Sequence, residues 1–183
     1  RLVTFGIIPD SPNSDYGYIN FSNDNNKGCF KVNKFVEKPN QETAELYINE
    51  GNYLWNSGMF MFKPRVFLDE LATHSEQIVR MVKKSLDNAS KDLDFIRLEK
   101  KSFESSPSSS IDYAVMEKSN NVVVLKLDAG WSDLGSWSSL YEVSNKDNNG
   151  NVHKGNVIDF DSSNNLIISN NKLTSVVGLS NIA

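Results

Sequence analysis

One segment of the chain places a carboxylate between two glycines and two tryptophans. Residues 130–137 read Gly-Trp-Ser-Asp-Leu-Gly-Ser-Trp, and a β-rich run ends just before them. Mg²⁺ in proteins usually takes one or two carboxylates together with phosphate oxygens of a substrate, so we interpret Asp133 as a residue of a metal or phosphate site. The competing interpretation is that Asp133 caps the helix predicted to follow it, because Asp is a favoured N-cap residue.

Three further stretches carry polar groups that could do chemistry, and each has a structural alternative. Glu37 and Lys38 end a predicted strand, where they are either solvated charges before a turn or part of a site. Asn56 interrupts an aromatic run, so it marks a β-bulge or, if buried, needs hydrogen-bond partners. The short helix predicted over 111–118 is either a core helix or a wall of the same site.

Strands and helices alternate over the first 147 residues, which predicts an α/β domain with a mixed sheet. Asn40 and Gly51 are expected to cap the two ends of one helix, and Ser110 is expected to cap another. The predicted strands cover 2–8, 17–21, 29–37 and 122–127, with a polar connection over 23–28 and an aromatic run over 53–62. The predicted helices begin after Asn40, at Pro64, near 75, at 111 and near 135.

The character of the chain changes after Gly150, where short strands follow one another and the pattern predicts no helix. These strands are expected over 152–160, 166–169 and 172–177, with polar turns between them. We therefore predict an α/β part over 1–147 and the start of an all-β element, of β-helix or hairpin type, over 151–183. About 30 residues are too few for such an element to be stable alone, and the chain begins at Arg1 rather than Met, so we expect a piece of a longer polypeptide.

Composition excludes several classes of protein. The formal net charge is −4 and no Lys or Arg cluster breaks the balance, so we expect no nucleic-acid partner. No apolar stretch is long enough to span a bilayer, and we expect no membrane partner. The single Cys29 cannot form an internal disulfide, which fits a reducing cytoplasm, and the two histidines show no metal-ligand spacing.

Six motifs, taken in order, resemble the mannose-1-phosphate guanylyltransferase family. The resemblance covers essentially the whole chain, and it looks especially close to the bacterial enzymes in which this activity is fused to a mannose-6-phosphate isomerase. The motifs occupy residues 6–9 (Gly-Ile-Ile-Pro), 15–19 (Asp-Tyr-Gly-Tyr-Ile), 35–39 (Phe-Val-Glu-Lys-Pro), 55–60 (Trp-Asn-Ser-Gly-Met-Phe), 110–117 (Ser-Ile-Asp-Tyr-Ala-Val-Met-Glu) and 130–137.

This resemblance implies a fold, a reaction and a set of roles. The fold would be the C-terminal part of a Rossmann-like nucleotidyltransferase domain, and the reaction would convert mannose 1-phosphate and GTP to GDP-mannose and pyrophosphate with Mg²⁺. We also expect a homodimer. By the same likeness, Gly17, Glu37 and Asn56 would bind the sugar, Lys38 would bind its phosphate and act in catalysis, and Asp133 would hold the metal and act in catalysis.

Two departures from the family pattern affect these expectations. Asp15 stands where the family usually has a glycine, which would impair a close backbone approach to the sugar. The glycine-rich nucleotide loop of the family and a second metal-binding Asp have no counterpart in these residues, so we expect the chain alone to be inactive. The alternatives are a nucleotidyltransferase for another hexose 1-phosphate and a non-catalytic regulatory subunit of the same kind.

The placement of Glu37 beside Lys38 sets a geometric condition. Neighbours in a regular strand face opposite sides, so both side chains can serve one pocket only where the strand ends or twists. Pro39 permits such an ending.

Overall fold

The computed structural model describes residues 1–26 and 28–183, and for residues 23–26 it describes the backbone alone. The described chain divides into two compact units, Arg1–Ala129 and Gly130–Ala183, and each is presented by itself. The break predicted between 147 and 151 lies inside the second unit, where it separates a helix from the strands that follow.

The first unit is built on a mixed sheet that closes on itself. Its strands lie in the order β1-β4-β2-β3-β7, with β7 parallel to β1 and antiparallel to β3. The strands of this unit are β1 (Leu2–Ile7), β2 (Tyr18–Asn26), β3 (Cys29–Val36), β4 (Tyr53–Met61), β5 (Ser90–Asp92), β6 (Phe95–Arg97) and β7 (Val122–Leu127). The helices are α1 (Gln41–Glu50), α2 (Pro64–His74), α3 (Glu76–Asp87), α4 (Lys100–Glu104) and a one-turn π-helix, Asp112–Met116.

The core of this unit lies between the sheet and the π-helix. Val122 and Val124 of β7 are 2% and 0% exposed, as the continuous β-branched run predicts for a strand covered on both faces. They pack with Leu2, Ile19 and Val115, which are also fully buried. Each such side chain contributes about 1.5–3 kcal/mol by leaving water.

The sequence predicts both caps of α1 correctly, but it predicts the wrong N-cap residue for the π-helix. The Asn40 side chain accepts a hydrogen bond from the Thr43 N–H at 2.9 Å, and Gly51 ends α1 in the left-handed region at φ 71°. The predicted cap by Ser110 is wrong: in the described structure no side chain caps the π-helix, and Ile111 occupies the N-cap position. Ile111 already has helical φ and ψ, so it lacks the extended geometry from which a side-chain cap works.

Other differences lie in short polar segments. The hairpin of β5 and β6 and the helix α4 are too short to show a period in the sequence, so the sequence does not predict them. The Ser-rich stretch over 102–110 is typical of a loop, but it begins inside α4. The connection expected over 23–28 overlaps the end of β2 and lies partly outside the described residues. Helices begin at Pro64 and at Glu76, close to the predicted starts at Pro64 and near 75.

The second unit contains α5 (Trp137–Val143), β8 (Val152–Phe160) and β9 (Leu166–Val177). The two strands pair in parallel, so the hairpin alternative is wrong and the β-helix alternative stays a prediction. The turn expected near 170 is a register shift inside β9, because Gly155 pairs with Ser169 and Val157 then pairs with Thr174. Among the described residues, no helix combines the length and apolarity that a membrane crossing requires.

Candidate functional site

Asn56 stands at a bulge where β4 pairs with β1. Between the pairs Thr4–Phe60 and Gly6–Asn56, β4 carries three residues against one in β1. Gly58 provides the turn in this bulge, with φ at 71°, a value that favours glycine. The bulge interpretation of the sequence is therefore confirmed, and the bulge is also what aims the Asn56 side chain.

The Asn56 amide is held by bonds on both sides. Its Nδ2 donates to Oδ1 of Asp112 at 3.1 Å, and its Oδ1 accepts from the Gly58 N–H at 3.1 Å. The fully buried Thr4 hydroxyl lies 3.5 Å from the same oxygen. An amide nitrogen carries two hydrogens, and the second one serves the hydrogen bond by which Asn56 lowers the pKa of Glu37.

Gly17 fits between two of the predicted site residues because it has no side chain. Its carbonyl accepts a hydrogen bond from the Asn56 N–H at 2.7 Å. A β-carbon at this position would lie 2.4 Å from Oε2 of Glu37 and 3.1 Å from Cβ of Asn56. Three residues separated by up to 39 positions are thus brought into contact, although their roles stay predictions.

Glu37 presents a buried carboxylate oxygen to this cluster. Within the described part of the chain, its Oε2 is buried and has no hydrogen-bond partner. Burial raises the pKa of this carboxyl, and the charge of Asp112 raises it further, while the charge of Lys38 and a hydrogen bond from the Asn56 side chain act in the opposite direction. A buried acceptor without a partner costs about 1–3 kcal/mol, a cost that a ligand hydroxyl would remove.

The chain leaves β3 before it reaches Glu37. The strand ends at Val36, the Glu37 N–H donates to Oε1 of Glu117 at 2.9 Å, and Lys38 has a positive φ of 48°. Lys38 is exposed, and its charge is close enough to lower the pKa of Glu37. The strand therefore ends before Glu37, so the side chains of Glu37 and Lys38 are not forced to opposite faces of the sheet and can serve one pocket.

Asp133 belongs to the second unit and lies in an irregular segment before α5. Gly130 and Leu134 on either side have φ values of 60° and 51°, and the Asp133 side chain is exposed. The interpretation of Asp133 as a helix cap is wrong, because Ser136 occupies that position and accepts from the Ser139 N–H at 3.0 Å. The role of Asp133 at a metal stays a prediction.

The π-helix supplies two carboxylates to which the sequence analysis gave no role. Asp112 bonds Asn56 and Glu117 bonds the backbone of Glu37, so both support the cluster. The Glu117 N–H donates to the Asp112 carbonyl at 2.9 Å, the i to i+5 bond that defines a π-turn. The sequence does show two acidic residues five positions apart at a short predicted helix. An α-helical period does not group residues at that spacing, so the pattern did not point to a shared role.

Comparisons with known proteins show which family the chain resembles. A family model described as nucleotidyl transferase matches residues 1–150. A putative mannose-1-phosphate guanylyltransferase of Vibrio cholerae is 49% identical over all of this chain, and the chain covers 39% of that protein. The xanthan biosynthesis protein XanB of Xanthomonas campestris is 47% identical over all of this chain, which covers 38% of it.

A solved structure resembles the described fold over almost its full length. It is named mannose-1-phosphate geranyltransferase, from Thermus thermophilus, and it has a TM-score of 0.82 at 29% identity. The match covers 98% of this chain and 51% of the Thermus chain. The chain thus spans well under two thirds of each of these relatives.

Proposed function

The chain belongs to the nucleotidyl transferase family, and from that premise we propose that it forms the sugar-phosphate side of a mannose-1-phosphate guanylyltransferase. This enzyme would let mannose 1-phosphate attack the α-phosphate of GTP, giving GDP-mannose and pyrophosphate for surface polysaccharide synthesis. The observation that carries the proposal is the buried, unpartnered Oε2 of Glu37 beside Gly17 and Asn56.

The cluster has the donors and acceptors that a sugar needs. Ionised Glu37 would accept hydrogen bonds from sugar hydroxyls, and the Asn56 amide hydrogen that faces Glu37 would donate to a sugar oxygen instead. The absence of a side chain at Gly17 lets the Glu37 carboxylate and Asn56 lie against the backbone there, and we propose that this backbone also faces the sugar. Asp112 would keep the Asn56 amide in the orientation that serves this purpose.

Two charged residues would serve the phosphate side. Displacement at phosphorus depends on positioning and charge neutralisation rather than on a protein nucleophile, so the Lys38 ammonium would hold the sugar phosphate. The exposed carboxylate of Asp133 would be one of the one or two carboxylates that Mg²⁺ usually takes. Bound Mg²⁺ would supply charge neutralisation at the phosphates.

The remaining expectations stay part of the proposal. They are the homodimer, the cytoplasmic location, the fusion to a mannose-6-phosphate isomerase and the weakening of sugar binding by Asp15. The expected inactivity of the chain alone is checked by assaying purified 183-residue chain for GDP-mannose. Any GDP-mannose formed by that chain would contradict the expectation.

Calorimetric titration with mannose 1-phosphate in Mg²⁺ tests the proposal, with glucose 1-phosphate as the competing sugar. We expect selective binding of the mannose compound. Replacing Asn56→Ala removes about one hydrogen bond, so affinity should fall about tenfold. Asn33→Ala is the matched control, because it removes the same side chain outside the cluster. In the described part of the chain, the Asn33 side chain has a single hydrogen bond, to Asn20 at 3.1 Å.

Three results would count against the proposal. Failure of a folded chain to bind either sugar phosphate would contradict the site. Equal affinity for both compounds would favour another hexose 1-phosphate as substrate. An equal effect of Asn33→Ala and Asn56→Ala would show that binding does not depend on this cluster.

A further inference from the structure

Three potential metal ligands meet in the second unit, and none of them has been assigned a role above. Asp147, His153 and Asp159 each offer one ligand atom, and these atoms all lie within 4.8 Å of one another. Nε2 of His153 and Oδ1 of Asp159 are 3.3 Å apart. Two ligands that each bind one ion at about 2.1 Å in adjacent positions are about 3–3.5 Å apart, so this pair already has the required spacing.

A bend in β8 is what brings His153 and Asp159 together. A regular strand rises about 3.3 Å per residue, so residues six apart would be about 20 Å apart. Gly155 lies between them with φ at 88°, and a β-carbon there would be only 1.7 Å from the carbonyl oxygen of Ser169. The strand is therefore bent at a position that only glycine can occupy.

A buried asparagine bonds to both carboxylates. The Asn151 side chain is 1% exposed, and its Nδ2 donates to Oδ2 of Asp159 at 3.3 Å. The Asn151 N–H also donates to Oδ1 of Asp147 at 2.8 Å, and the Asn149 N–H donates to the same oxygen at 2.9 Å. Such hydrogen bonds to ligating carboxylates are the outer support that fixes ligand orientation in metal sites.

The charges of the cluster favour a cation. A neutral imidazole has one N–H donor, so it can bond only one of the two carboxylates that flank it. Lys146, the neighbour of Asp147 in the chain, pairs with Glu142 at 3.7 Å instead. With neutral His153, the three side chains carry a charge of −2 that a dication would neutralise.

We propose that Asp147, His153 and Asp159 bind a transition-metal dication such as Zn²⁺. An imidazole nitrogen with two carboxylates suits Zn²⁺ better than Mg²⁺, which prefers oxygen ligands alone. The partial exposure of the cluster leaves room for water to complete the coordination. The ion links the segment before β8 to both arms of the bent strand.

Titration of the tag-free 183-residue chain with Zn²⁺, followed by calorimetry and by NMR of the imidazole signals, tests this proposal. The chain has two histidines, so the signals are assigned with a single His74→Gln variant. His74 is the matched control, because it also pairs with a carboxylate, Glu70 at 3.4 Å, and has similar exposure. A Cys29→Ser background removes the thiol as a competing ligand.

We expect one Zn²⁺ per chain, with shifts confined to the His153 signals. Replacing His153→Gln or Asp159→Asn should weaken binding about tenfold or more, and His74→Gln should leave it unchanged. Circular dichroism confirms that each variant is folded. The absence of Zn²⁺ binding, binding that survives both ligand variants, or shifts at His74 instead of His153 would each overturn the proposal.

Discussion

Replacing Gly17→Ala should disable the cluster while leaving the fold largely intact. The new β-carbon would meet Oε2 of Glu37 at 2.4 Å and Cβ of Asn56 at 3.1 Å. The Glu37 carboxylate is the end of a flexible side chain, so it can move away. The Asn56 Cβ is attached to a paired strand and can yield only slightly.

The expected magnitude follows from these two contacts. A displaced Glu37 loses a charge-assisted hydrogen bond to the sugar, about 1.5–3 kcal/mol, which corresponds to about a 10- to 150-fold loss of mannose 1-phosphate affinity. Crowding against Asn56 should cost about 1–3 kcal/mol of unfolding free energy. Moving the Glu37 carboxylate into water offsets part of that cost, because its burial is unfavourable.

A double-mutant cycle isolates the contact between Gly17 and Glu37. Calorimetry and urea unfolding are measured for Gly17→Ala, for Glu37→Ala and for the double variant. In the Glu37→Ala background, Gly17→Ala should have almost no further effect on sugar affinity. Independent, additive effects of the two substitutions would refute the contact between Gly17 and Glu37. Unchanged affinity in Gly17→Ala alone would refute the claim that the sugar binds at this point.

Three further predictions concern stability. The raised pKa of Glu37 means that the folded chain binds more protons than the unfolded chain above pH 4.5, so stability should fall as pH rises through the raised pKa. Glu37→Gln should remove that fall in urea unfolding, and a fall of the same size in the variant would contradict the assignment. The pKa of Glu70 is lowered, first by the Ser119 hydroxyl that bonds it at 2.7 Å, so its contribution is present above pH 4.5 and lost as pH falls through the lowered value. Glu70→Ala should therefore cost about 1–3 kcal/mol at neutral pH and less in acid, and a cost independent of pH would argue against it. Gly155→Ala should cost about 3 kcal/mol or more, because it adds a clash with the Ser169 carbonyl to an unfavourable positive φ. Calorimetric melting that is unchanged in this variant would contradict the bend in β8.

Local physical chemistry explains why many elements were predicted from the sequence. The caps of α1 depend on Asn40 and Gly51, whose preferences act within one turn. The valines that open β7 indicate a strand covered on both faces wherever the rest of the chain lies. The grouping of Gly17, Glu37 and Asn56 was predicted through the family resemblance, since no local rule joins positions so far apart.

The features that escaped prediction depend on non-local geometry. Asp112 and Glu117 are joined by an i to i+5 backbone hydrogen bond, and a sequence pattern with an α-helical period does not predict such a bond. His153 has no metal-ligand spacing in the sequence, and only the bend at Gly155 brings it near Asp159. Parallel pairing of β8 with β9 likewise depends on the path between the strands rather than on their composition.

A crystal structure of the chain with mannose 1-phosphate and Mg²⁺ is the most direct test of the central claim, that Glu37 and Asn56 hold the sugar. The prediction is a sugar hydroxyl about 3 Å from Oε2 of Glu37, with the Asn56 amide donating to a second sugar oxygen. A ligand bound elsewhere, or bound with Oε2 of Glu37 still unpartnered, would contradict it.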